Sequence, residues 1–361
     1  MSDNLRRYRA IHNALKQACG AEPKGNFARH VTTLAALISG IVGRGSLQLP
    51  PIARKVPRGI QKESRVKRFY RWLVNEAIET AVYFLPFAQA LLEQLALETL
   101  VLVIDGSVVG RGCVALMVNV IYRGRALPLA WTVVSGKKGH FAEDVHIALM
   151  EQVHQLVPAQ ARVVVLGDGE FDGTRWQQTL NDYGWAYVCR TGRNINIVWD
   201  DENLSCGELE AHLTPGYYIA LPEVRFTHER YGPVMLICQW DKGCKEPIYL
   251  VSNRASAQRA CNLYRKRFRI ETFFSDQKSR GFHLHKSHLS KPERLSRLLI
   301  AACLAYIWMV YLGALCLRDG WKAIIHRRHR CDLSLFQLGL QLLDHVINEG
   351  LRIPVAFQML I

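Results

Sequence analysis

Over residues 1–97, apolar positions recur at helical spacing in FARHVTTLAALISGIVG and again in AIETAVYFLPFAQALLEQLALE. Between these runs lies QLPPIARKVPRGIQKESRVKRFYRWLVN, where prolines and a glycine punctuate short helices. This region reads as all-helical, with Ser64 placed to cap a basic helix. From Thr99 the period shortens. TLVLVIDGSVV, CVALMVNVIYRG and RALPLAWTVVSG are β-rich runs parted by Gly turns, the pattern of an antiparallel meander. A helix over 142–157, the strand RVVVLGD, a helix over 173–183 and the strand WAYVCRTG follow. Strands first, then alternating helices and strands, predict an α/β fold: an RNase H-like mixed sheet flanked by helices.

Residues 194–247 break that alternation. INIVWDD, GYYIALPEVRF and PVMLICQW are short strand-like pieces among turn residues, which predicts a small β-rich insertion. The α/β pattern resumes at IYLVSN. Further on, LLIAACLAYIWMVYLGALC (residues 298–316) carries no charge, long enough for a membrane span. Charges flank the run and no other segment resembles it, so a core helix covered on all sides is the better reading.

Charge narrows the partner. Lys plus Arg is 46 and Asp plus Glu is 31, a net charge of +15 with His neutral. Such an excess favours an acidic polymer, nucleic acid before an anionic membrane surface. Eight basic residues (Arg54, Lys55, Arg58, Lys62, Arg65, Lys67, Arg68 and Arg71) crowd one stretch against the single acid Glu63. Within the predicted basic helix, Arg65, Lys67, Arg68 and Arg71 are candidate phosphate contacts. A solvated basic face on a helical cap presents the same residues.

Cysteine usage and the N-terminus concern compartment. Ten cysteines are scattered with no CxxC, which argues against a zinc site and for reduced, buried thiols. MSDNLRRYRAIHN is polar and lacks the apolar stretch of a secretory signal. A cytoplasmic protein is expected.

Candidate chemistry rests on three carboxylates. Asp105 ends the run LVLVID and Asp168 ends VVVLGD, each followed by glycine, so both are expected at strand ends with backbone room around them. The third lies in YRKRFRIETFFSDQK (residues 264–278), where Tyr264, Arg267, Glu271 and Lys278 are 3, 4 and 7 residues apart. On one helix that spacing aligns all four on a narrow face. Routine ion pairs on a solvated face are the plain alternative. Three acids brought together need a counter-charge, and Mg²⁺ suits a sparse oxygen site. Two such ions about 4 Å apart activate a water or 3′-hydroxyl and stabilise a leaving 3′-oxygen. Near Asp168, Glu170 and Asp172 are alternative ligands, with Asp168 favoured as the strand-end acid.

The chain resembles DDE transposases of the insertion sequence 4 family, the cut-and-paste group marked by a Tyr-Arg-Glu-Lys motif. Here the motif is Tyr264-x2-Arg267-x3-Glu271-x6-Lys278, with a first acid in IDGS and a second in GDGEFDG. The resemblance spans about residues 95–315 and implies that Asp105, Asp168 and Glu271 are catalytic and bind Mg²⁺ or Mn²⁺, two ions per site. It implies that Tyr264, Arg267 and Lys278 contact DNA near the cleaved end. It further implies binding of terminal inverted repeats and target DNA by a homodimer in a synaptic complex, with no membrane, in a bacterial cytoplasm on the nucleoid. Some relatives stack a flipped base on an insertion-domain tryptophan; Trp240 and Tyr249 are the aromatics near that position.

The organisation expected is a helical DNA-binding region over 1–97, core parts over 98–193 and 248–318, the insertion over 194–247, and a C-terminal helical region over 319–361 as a candidate for dimerisation. Two rivals share parts of this pattern: a catalytically silent or domesticated transposase-derived DNA-binding protein, and an RNase H-like nuclease.

Overall fold

The computed structural model describes residues 2–57, 61–136, 141–327 and 330–360. The N-terminal region folds into α1 (Asp3–Ala18), α2 (Gly25–Arg44), α3 (Leu49–Arg54), α4 (Lys62–Val74), α5 (Thr80–Tyr83) and α6 (Leu85–Leu95). Helix α2 stops where Gly45 adopts φ 62° and its N–H closes on the Ile41 carbonyl, a left-handed cap that suits glycine. The buried Arg7 ties α1 to α2 by donating to the Ser39 carbonyl at 2.9 Å. Helix α4 begins at Lys62 with Gln61 as its N-cap, so Ser64 lies inside the first turn and does not cap it. Lys62 and Glu63 both favour helix, and Glu63 also suits the positive end of the helix dipole.

The meander follows as β1 (Leu100–Gly110), β2 (Cys113–Tyr122) and β3 (Arg125–Ser135). Next come α7 (Glu143–His154), β4 (Val163–Gly167), α8 (Thr174–Asp182) and β5 (Ala186–Thr191). Strand β1 pairs antiparallel with β2 and parallel with β4, and β4 pairs parallel with β5. The order β3-β2-β1-β4-β5 is the RNase H-like sheet.

The β-rich segment supplies β6 (Asn196–Trp199), β7 (Glu202–Ser205), β8 (Tyr218–Phe226) and β9 (Tyr231–Gln239), followed by β10 (Ile248–Ser252). These strands continue the same sheet, which reaches ten strands in the order β3-β2-β1-β4-β5-β10-β9-β8-β6-β7 among the described residues. Strand β10 runs antiparallel to both β5 and β9, so IYLVSN closes the insertion's sheet onto the core. It is the last strand among the described residues, and only helices follow it, so the expected helix–strand alternation does not resume at IYLVSN.

The chain then forms α9 (Ala257–Tyr264), a 3₁₀ turn (Arg265–Phe268), α10 (Arg269–Gln277), α11 (Pro292–Arg318), α12 (Lys322–Ile325) and α13 (Leu335–Asn348). Helix α11 holds the uncharged run and is the one described helix long and apolar enough to cross a membrane. Its residues 298–310 are all buried, packed by β3, α2, α4 and α13. Each large apolar side chain so covered contributes roughly 1.5–3 kcal/mol. The run is a core helix that joins the N-terminal helices to the sheet. Helix α13 lays its apolar face on α11, where glycines allow the backbones to touch: a Cβ on Gly339 would stand 1.9 Å from the Met309 carbonyl oxygen. The C-terminal region therefore spends its apolar face inside the chain.

Candidate active site

Parallel pairing brings the first two acids together. Val103 on β1 is level with Leu166 on β4, and continuing that register by two residues sets Asp105 beside Asp168. Adjacent strands lie about 4.8 Å apart, and residues level with one another point to the same face. Asp105 is not at a strand end, as its glycine suggested: β1 continues to Gly110 and remains paired with β2. Room for the carboxylate comes instead from β4, which ends at Gly167 and leaves one edge of β1 open. Past that end the chain turns sharply. The Glu170 N–H donates to Asp168 Oδ1 at 3.1 Å, and a Cβ on Gly167 would strike Phe171 at 2.6 Å.

The segment with the third acid is not one continuous α-helix. The 3₁₀ turn at Arg265–Phe268 separates α9 from α10. A 3₁₀ turn eclipses side chains three residues apart, and Tyr264 and Arg267 both face inward, 5 % and 8 % exposed. Glu271, in the first turn of α10, keeps 51 % of its side chain exposed. Lys278 lies just beyond the end of α10. The predicted stripe therefore splits into two buried groups, one open carboxylate and a terminal lysine.

Arg267 joins the acids. Its guanidinium donates to Asp105 Oδ2 at 3.4 Å through Nη1 and to Glu271 Oε1 at 2.9 Å through Nη2. It also lies 4.8 Å from the Phe268 ring centroid. Nε is buried and has no hydrogen-bond partner among the described residues. Burial works to lower the Arg267 pKa, but Tyr264, Asp105 and Glu271 outweigh it and the shift is upward. Asp105 is pushed up to about 7, first by burial and then by Asp168, against the opposing pull of Arg267 and the Gly106 N–H. Burial raises the Tyr264 phenol to about 12, so it remains a neutral donor. Lys278 Nζ donates to Ser107 Oγ at 2.6 Å, two residues along β1 from Asp105 and on the same face of the strand.

Among the described residues no three carboxylate, imidazole or thiol groups are gathered tightly enough to hold a metal ion. Arg267 holds the space between Asp105 and Glu271. The donor chemistry nonetheless fits a hard divalent cation. Asp105 and Asp168 are hard oxygen donors whose mutual repulsion and burial disfavour ionisation at Asp105, which a nearby cation reverses.

The other acids near Asp168 are engaged elsewhere. Glu170 accepts from the Phe141 N–H and lies 3.3 Å from His146 Nε2. Asp172 accepts from Thr191 Oγ1 at 2.6 Å. On α4 the four predicted DNA contacts divide. Arg65 donates to the Ala53 and Val56 carbonyls at 2.8 and 2.9 Å, and Arg68 to Thr33 Oγ1 and the Thr32 carbonyl at 3.1 Å each. Lys67 and Arg71 are exposed. Arg58 lies outside the described residues. Tyr249, on β10, is buried with its hydroxyl on Glu210, while Trp240 in the insertion is half-buried and donates to the Cys244 carbonyl at 3.0 Å.

Sequence reasoning missed Ser107 and the buried pair in which Arg125 on β3 donates to Asp276 on α10 at 3.0 Å. Alternation along β1 was enough to flag Ser107. Nothing local links Arg125 to Asp276.

No curated protein matches the chain. Among solved structures, a cryo-EM structure of the piggyBac transposase synaptic complex with hairpin DNA aligns over 97 % of this chain and 80 % of that chain, at 9 % identity and a TM-score of 0.45. The family model of the transposase DDE domain matches residues 98–308, from just before β1 well into α11. That is more than half of the sequence, and the chain belongs to the transposase DDE-domain family.

Proposed function

We propose that the protein is a cut-and-paste DNA transposase of the insertion sequence 4 group, with Asp105, Asp168 and Glu271 as its catalytic carboxylates. The observation that carries this reading is the Arg267 bridge. One guanidinium contacts both the β1 acid, 162 residues away in sequence, and the α10 acid one turn along. Family membership supports DNA transposition in general. The group assignment rests on the intact spacing from Tyr264 to Lys278.

Asp105, Asp168 and Glu271 would hold Mg²⁺ or Mn²⁺, two ions per site. Such ions, when bound, polarise the scissile phosphate and ease deprotonation of the attacking oxygen. The chain's own groups do the rest. Arg267 and Lys278 present fixed positive charge where the phosphate oxygens gain charge as phosphorus becomes five-coordinate. Tyr264, a neutral phenol, supplies a hydrogen-bond donor beside them. Water attacks the phosphorus, the bond to the 3′-oxygen breaks, and that oxygen leaves as a hydroxyl once protonated. The freed 3′-hydroxyl then attacks a target phosphodiester in the same manner. Lys67 and Arg71 on α4 would bind the duplex backbone of the terminal repeat. A homodimer would pair two element ends in the bacterial cytoplasm, on the nucleoid.

The test is cleavage mapping on duplexes carrying the terminal repeats that flank the gene, with Mg²⁺ or Mn²⁺. Cutting at the repeat ends, abolished by Glu271→Gln, is the expected result. Full cutting by Glu271→Gln sinks the assignment.

A further inference from the structure

A second cationic site lies on the flank of the core, away from the carboxylates. A cleft of about 430 Å³ opens between the starts of β1 and β4 and one face of α9. Arg259 and Asn262 on α9 and Lys266 in the 3₁₀ turn that follows it line the cleft, and Arg254 joins them from the preceding loop. Glu98 is the one carboxylate in the lining. Among the described residues Arg254, Arg259 and Lys266 form no ion pair. Arg254 Nε is moreover buried with no acceptor. A buried donor of that kind is costly unless an oxygen reaches it.

We propose that this cleft binds backbone phosphate of the DNA that runs on from the cleavage position. The inference rests on the transposase reading and adds to it a phosphate site outside the Tyr264–Lys278 segment's known motif. Val101 lines the cleft on the same strand as Asp105, four residues away. That separation is about 13 Å along a strand, a length that B-form DNA covers in about four nucleotides. Three cations against one carboxylate leave a net positive cleft, and a guanidinium with a free Nε suits a phosphate oxygen.

The experiment measures binding of the full chain to duplex DNA by fluorescence anisotropy across a salt series. Arg259→Gln with Lys266→Gln is expected to weaken binding about tenfold and to flatten the logarithmic salt slope by about two. Arg254→Gln weakens it further. Glu98→Gln is expected to tighten binding about two- to threefold, a change that a folding defect does not produce. If wild type binds and cuts terminal-repeat DNA but the double variant matches it in affinity and slope, the cleft's role is overturned and the transposase reading stands. If wild type binds no DNA, both fall. A separate arm titrates inorganic phosphate at constant ionic strength. Thermal protection of wild type but not of the double variant, with DNA affinity equal in both, overturns the DNA assignment in favour of a small phosphate.

Discussion

Lys278 Nζ donates to Ser107 Oγ at 2.6 Å, which pins the end of α10 to β1 two residues beyond Asp105. The hydroxyl fixes where the lysine's charge stands relative to the acids. A hydrogen bond to a charged donor contributes about 1.5–3 kcal/mol, part of which a water replaces in a half-exposed site. Ser107→Ala is therefore expected to slow strand cleavage about tenfold. Single-turnover rates at saturating DNA read this directly, and an unchanged rate means Lys278 finds its place without the tether.

Arg267 has a geometry that lysine does not reproduce. Its two terminal nitrogens reach Asp105 and Glu271 separately, whereas an ammonium is a single point charge on a flexible stem. Arg267→Lys is expected to keep the net charge and lose about a hundredfold in cleavage. DNA affinity should change far less than cleavage. Equal losses in both would mark Arg267 as a binding group only.

Helix α4 allows binding and stability to be separated on one element. Arg68 hydrogen-bonds to Thr33 and Thr32 on α2, so Arg68→Ala is expected to cost about 1–3 kcal/mol of stability in chemical denaturation. Lys67 and Arg71 face solvent. Replacing both with Ala should leave the denaturation midpoint in place and flatten the salt dependence of DNA binding by about two. The opposite pattern refutes the division.

Where the sequence was legible, periodicity and spacing carried the information. β-rich runs parted by Gly turns marked β1, β2 and β3, and the run at residues 298–316 marked the core helix. Asp105, Asp168 and Glu271 stood out by local context. What stayed hidden depends on long-range pairing or on which way a side chain turns. Local pattern did not reveal that β10 would join β5 antiparallel, because each strand's burial pattern is satisfied on several edges. It did not separate Arg65 and Arg68 from Lys67 and Arg71, since all four are basic and only the fold supplies the carbonyls that capture two of them. The 3₁₀ turn at Arg265–Phe268 was likewise invisible, because four residues are too few for periods of 3.0 and 3.6 to separate.

Stability should depend on pH through Asp276. Burial lifts its carboxyl to about 6, with Arg125 and Arg280 pulling the other way. A raised folded-state pKa means that the native protein binds more protons than the unfolded chain between about pH 4 and pH 6. Stability from this group is therefore highest below that window and falls as pH rises through it, by about 2–3 kcal/mol at most. Asp276→Asn cannot ionise, so it should flatten the slope from pH 4 to pH 6, and its stability relative to wild type should rise across that window. Urea denaturation at several pH values checks both effects. A slope unchanged in Asp276→Asn assigns the dependence to other carboxyls, Asp105 first among them.

The contact between α11 and α13 makes the last prediction, because its tolerance for side chains is close to zero. A Cβ on Gly339 would lie 1.9 Å from the Met309 carbonyl oxygen, and one on Gly313 would lie 1.8 Å from that of Leu335. Both obstacles are backbone, so neither moves without separating the helices. Alanine at either position adds one methyl group, yet is expected to destabilise the chain by about 3 kcal/mol or more. Gly136→Ala is the control: among the described residues a Cβ there meets nothing within 4 Å, and its denaturation midpoint should stay within error of wild type. Because α13 covers the helix that joins the N-terminal region to the sheet, Gly339→Ala should also weaken DNA binding under conditions where the variant begins to open. Limited proteolysis reports that opening, and cleavage beyond residue 318 should appear first. Wild-type protease resistance in Gly339→Ala would show that α11 and α13 separate without cost, and the close packing would then not be what holds the C-terminal region in place.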